Sequence, residues 1–183
     1  MRADARRNYE ALLTAARELF LEQGPDAPLD EVAKRAGVGA GTLYRHFPTR
    51  NDLLSAVYVS DIETLCDAAE KLTAEHDPGT TLAEFMDLYL YFSMRNSGIK
   101  KAIKEMLAAE GPHPDGLTLC KSRLTDTSEE LLRCAQEAGA ARRDVEPITF
   151  LRMVHGIAIA CDDNPDLATS MLQVMKNGVL TQA

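Results

Sequence analysis

From Tyr9 the apolar residues fall at Tyr9, Leu12, Leu13, Ala16, Leu19 and Phe20, the spacing of one helix face, until Gly24-Pro25 stops the pattern. A second, shorter face reads Leu29, Val32, Ala33 and Ala36 and closes at Gly37, a residue free to take the left-handed conformation that ends a helix. A turn at Val38 leads into a third helix over about residues 39–47. Pro48 cannot continue it, and Thr49 is placed to cap the next helix, whose face runs Leu53, Leu54, Val57, Tyr58, Ile62, Leu65 and Leu72. Asp77-Pro78-Gly79 ends that long fourth helix, and further helical patterns cover about 81–96, 99–109, 115–138, 147–162 and 165–180. No stretch alternates as a strand would and no segment repeats, so the predicted fold class is all-α.

Two short helices meeting at a glycine-containing turn, with an amphipathic helix before them, predict a helix-turn-helix whose second helix enters the major groove of DNA. Its first residues, Gly39, Ala40 and Gly41, carry almost no side chain, so the backbone can approach a duplex closely and its NH groups and dipole favour a phosphate. Leu43 and Phe47 lie four apart and are expected to pack inward, which turns Thr42, Arg45 and His46 outward as the base-reading candidates. Arg45 has the fork that meets guanine, Thr42 suits a base edge or methyl, and His46 can donate to a base or phosphate. Tyr44 is expected to reach the DNA backbone, Arg50 to meet a phosphate, and Lys34 and Arg35 to add positive charge.

Charge sharpens this picture. The chain of 183 residues has a formal net charge of -8, yet residues 1–50 hold eight Lys/Arg against seven Asp/Glu, and residues 51–183 hold twelve against twenty-one. A near-neutral N-terminal part on an acidic remainder fits a nucleic-acid-binding head on an acidic body. With 45% apolar residues the chain can bury a sizeable core. It has no run of eighteen apolar residues and no apolar stretch at its N-terminus, so no membrane partner and a cytoplasmic location are expected. Cys66, Cys120, Cys134 and Cys161 are widely spaced and without a zinc-ligand pattern, and read as buried thiols; no metal and no cofactor are expected.

The stretches ALLTAARELFLEQG and LDEVAKRAGVGAGTLYRHFPTRNDLL combine an A-A-x-x-L-F helix, an A-G-V turn, a G-T-L-Y-x-H-F recognition helix and a following cation. From roughly Arg6 to Tyr58 this resembles the N-terminal domain of TetR-type transcriptional regulators. The resemblance implies a homodimer that binds a palindromic double-stranded DNA operator and is released from it by a small-molecule effector, with Thr42, Tyr44 and His46 at matching contact positions. The chain departs from the family at Ala27-Pro28, where Thr or Ser is common, and at Gly39, where Ser is common. Neither position offers a hydroxyl, although a proline suits the first position of a helix.

Beyond about residue 60 the reading returns to pattern alone. The expected organisation is a helix-turn-helix DNA-binding domain over residues 6–65, joined through the long fourth helix to a ligand-binding and dimerisation domain over 66–183. The eighth helix is apolar nearly all round, with Ile148, Phe150, Leu151, Met153, Val154, Ile157, Ile159 and Ala160, so one face suits a core and another a partner chain. With the last helix it suits a four-helix dimer interface. Phe85, Met86, Tyr89 and Phe92 supply aromatic and flexible side chains for an effector pocket, or for ordinary core, and Arg152 and His155 are candidate polar anchors. Asn164-Pro165 reads as a helix cap, which explains the neighbouring Asp162 and Asp163 without a metal. Glu110 and His113 resemble half of a di-iron motif, but Gly111-Pro112 breaks the helix that would aim them. The alternative to a ligand-responsive repressor is a helical-bundle carrier or enzyme that binds no DNA, and no catalytic constellation favours it.

Overall fold

The computed structural model describes residues 2–108 and 115–181. Among them the chain forms α1 (Arg2–Gln23), α2 (Leu29–Arg35), α3 (Ala40–His46), α4 (Arg50–Glu75), α5 (Pro78–Arg95), α6 (Ser97–Ala108), α7 (Asp115–Glu137), α8 (Pro147–Ala160) and α9 (Pro165–Val179). The all-α reading holds, the only strand-like feature among these residues being an isolated antiparallel bridge between Ala141 and Leu180. The Glu110 and His113 pair lies outside the described residues.

Local chemistry sets the boundaries. Gly37 has φ +68°, and the amide of Val38 bonds the Ala33 carbonyl while that of Gly37 bonds Lys34, the paired closure that ends α2. Gly139 closes α7 in the same way. At the start of α4 the Thr49 hydroxyl accepts from the Asp52 amide while the Asp52 carboxylate accepts from the Thr49 amide, a reciprocal cap. Asn164 accepts from the Leu167 amide with Pro165 at the first helical position, so the cap reading of that segment holds.

Three expectations shift. Asp77-Pro78-Gly79 opens α5 rather than merely ending α4, because the Asp77 carboxylate accepts from the amides of Gly79 and Thr80 and Pro78 takes the first helical position. Pro28 sits one position earlier than expected, at the cap of α2, where its carbonyl accepts from Glu31 and Val32. Helix α1 begins seven residues before Tyr9, on polar turns that an apolar count does not register.

Packing divides the described residues into two compact units, one drawn from Met1–Ser60 and Gly98–Thr118, the other from Asp61–Ser97 and Leu119–Ala183. In the first, Leu12, Leu19, Val32, Leu43, Leu53 and Val57 form a core to which α6 adds Ile99 and Ile103. Sequence reading placed α6 with the C-terminal part. In the second, α5 packs against α8 and α9, around Phe85, Met86, Leu132, Phe150, Val154 and Leu172. Cys66, Cys120 and Cys161 are buried and Cys134 is half-buried, and all four are free thiols.

Candidate nucleic-acid interface

The first unit assembles the reading helix from both sides. Leu43 and Phe47 are buried against α1 and α2, fixing the phase of α3, so Gly39, Ala40, Gly41, Tyr44 and Arg45 are exposed and Thr42 and His46 half-exposed. Tyr44 keeps 48% of its surface in solvent, an unusual exposure for a large ring. The His46 ring meets the Tyr9 ring edge-on at 5.9 Å, and Tyr9 in turn packs on Phe47 at 5.2 Å. Tyr9 therefore sets the position of the recognition helix, a role that its place on the α1 stripe did not reveal.

Gly39 and Gly41 have ordinary negative φ, and a Cβ built on either would meet nothing within 4 Å. The protein's own packing thus gives no reason for glycine at these positions. No side chain caps α3, whose first turn closes through bonds from Thr42 and Leu43 to the Gly39 carbonyl. Arg45 folds back so that its Nε donates to the Gly41 carbonyl at 2.9 Å, which brings its guanidinium over the open first turn.

The remaining cations divide. Lys34 is exposed beside the turn. Arg35, expected to add positive charge, is held by Glu22 through two bonds of 2.8 Å, and that guanidinium draws the Glu22 carboxyl below its usual range. Arg50 is half-buried and donates to the carbonyls of Pro25 at 2.9 Å and Ala27 at 2.6 Å, so its guanidinium ties the α1–α2 loop to the start of α4. The phosphate contact expected of it competes with those bonds. An open cleft of about 360 Å³ between α1 and the end of α2 is bordered by Glu10, Glu18 and Arg35, charges of both signs.

In the second unit the sequence-predicted pocket residues are only partly brought together. Phe85 and Met86 are fully buried, with Tyr89 and Phe92 nearly so; Phe85 stacks on Tyr89 at 6.2 Å, Tyr89 on Phe92 at 6.3 Å, and Phe150 of α8 closes on Phe85 at 6.5 Å. Burial pushes the Tyr89 phenol up, against a hydrogen bond with Ser93. His155 is half-buried on α8. Arg152 does not join them: α8 buries Phe150, Leu151, Val154, Ile157 and Ala158, which leaves Arg152 on its exposed side. Among the described residues no group of three metal-ligating side chains gathers, and no helix is long and apolar enough to cross a membrane.

Comparison with known proteins finds matches in the N-terminal and in the C-terminal part of the chain. Residues 12–57 fit the family described as bacterial regulatory proteins, tetR family, and residues 77–181 fit the SbtR-like transcriptional regulator C-terminal domain. An HTH-type transcriptional regulator of Staphylococcus aureus is 29% identical over 106 residues, so the chain spans 57% of that protein's length. The HTH-type transcriptional regulator TtgW of Pseudomonas putida is 30% identical over 72% of this chain and 93% of its own. The crystal structure of the TetR transcriptional regulator SCO0520 from Streptomyces coelicolor superposes with a TM-score of 0.78 at 30% identity, covering 95% of this chain and 99% of that one.

Proposed function

The chain belongs to the TetR family of transcriptional regulators, DNA-binding factors rather than enzymes, and on that premise we propose that it is a cytoplasmic homodimeric repressor, released from a palindromic operator by a small-molecule effector. Thr42, Tyr44, Arg45 and His46 read or position the duplex, Lys34 meets the phosphate backbone, and Arg50 acts by holding the loop behind α3. The single observation that carries the DNA reading is the bare first turn of α3. Gly39, Ala40 and Gly41 are exposed, and neither glycine has an internal steric reason to be glycine. A close approach by something outside the chain supplies one, and a duplex suits the cation and ring beside it.

Gly41→Leu tests this. Gly41 has an ordinary helical φ and open space where a Cβ would stand, so leucine is accommodated there and the variant is expected to fold. Its side chain stands between backbone and groove, and operator affinity in a gel shift is expected to fall more than tenfold. Undiminished binding by Gly41→Leu, or parent binding with no salt dependence, defeats the reading.

Effector control needs a molecule that favours one conformation over the one that holds DNA, with coupling that works in both directions. The aromatic stack of Phe85, Tyr89 and Phe92 with Met86 supports the second unit as its receptor, since the side chains of Phe85, Met86 and Phe92 are apolar and part without giving up a polar bond. His155 is the polar anchor on the α8 side.

A further inference from the structure

The buried face of α5 changes character along its length. Phe85, Met86 and Phe92 are apolar, whereas Tyr89, Ser93 and Asn96, at the spacing of one helix face, place polar groups toward the C-terminal end. Asn96 has only 2% of its surface exposed. Its Nδ2 donates to the Phe92 carbonyl at 3.1 Å, and that bond fixes which way the amide faces, because a flipped amide would set oxygen against oxygen. The Asn96 backbone amide bonds the same carbonyl. Among the described residues no donor meets the Asn96 Oδ1, a buried acceptor with its bonding capacity unused.

We propose that Asn96 selects the effector's chemical class: a neutral molecule with an apolar, ring-bearing body and one hydroxyl or N–H that donates to Oδ1. This rests on the effector-binding reading above and narrows it. At Oδ1 a carboxylate or other anion has only acceptors to present and makes no bond. A cation would gain no counter-charge from α5 itself, whose Glu84 and Asp87 lie off its buried face, Asp87 being held by Lys176. The aromatic stack favours a flat ring over a flexible chain.

The probes are 2-naphthol, 2-methoxynaphthalene and 2-naphthoate, titrated by calorimetry into the full chain and into Asn96→Leu. The parent is expected to bind naphthol about tenfold more tightly than the ether, the contribution of one hydrogen bond, and to bind naphthoate least. Asn96→Leu, close in volume, is expected to remove the naphthol preference and leave the ether unchanged. The comparison of naphthol with ether in the parent stands even where the variant does not fold. Equal affinity for naphthol and ether, or no naphthol binding, overturns the assignment. A gel shift on the same samples separates the two ideas: naphthol preference without release of DNA sinks the effector reading alone, and equal binding with release sinks the Asn96 assignment alone.

Discussion

Lys100 shows how one side chain sets a pH dependence. Its amine on α6 is largely desolvated, which lowers its pKa from 10.5 to about 8. The unfolded chain therefore holds that proton more tightly than the folded one. The cost to stability is full below about pH 8 and is relieved as pH rises from 8 toward 10.5. Lys100→Met, which keeps the aliphatic stem, is expected to raise unfolding free energy at pH 7 by on the order of 2 kcal/mol, residual exposure screening part of the full shift. The gain should shrink when urea denaturation is repeated at about pH 10, where the unfolded chain begins to lose the same proton. A gain independent of pH would remove desolvation as its cause.

Between elements, two contacts carry separable consequences. Arg50 joins α4 to the α1–α2 loop through the carbonyls of Pro25 and Ala27. Arg50→Met is expected to lower stability by about 2 kcal/mol, the scale of bonds to a charged group, while leaving the salt slope of operator binding unchanged. A slope reduced by about one ion would restore the phosphate contact. Gly79 lies where a Cβ would come within 2.9 Å of the Ala140 Cβ. Gly79→Ala should cost about 1–3 kcal/mol in thermal or urea unfolding, and adding Ala140→Gly should recover part of it. Neither contact is visible in sequence, because each joins residues far apart in the chain. What sequence did carry is local: stops at Gly24, Gly37 and Pro48, caps at Thr49 and Asn164, and the Leu43 and Phe47 phase of α3. The sequence of the eighth helix did not show that Arg152 lies on its exposed side, since a helix apolar nearly all round hides which side faces the core. Asn96 went unnoticed because nothing around an isolated asparagine signals its burial.

At the scale of the whole molecule, α8 and α9 pack on each other yet leave Ile148, Met153 and Ile159 of the one and Leu167, Met171 and Val174 of the other exposed. Ile159 and Val174 keep 66% and 73% of their surface in solvent, so the protomer's own core does not depend on them. Apolar surface on two neighbouring helices is what a twofold interface needs, since each copy offers the same patch to the other. A palindromic operator requires two readers at fixed spacing, and linking them turns the second binding event into an intramolecular one. In the proposed dimer, Ile159→Glu with Val174→Glu would bury like charges across the twofold. Sedimentation is expected to shift from dimer to monomer with helical content intact, and operator affinity to fall by roughly a hundredfold or more. A variant that stays dimeric moves the interface off these helices. A monomer that binds the operator as tightly as the parent would break the tie between pairing and reading, and with it the need for a palindrome.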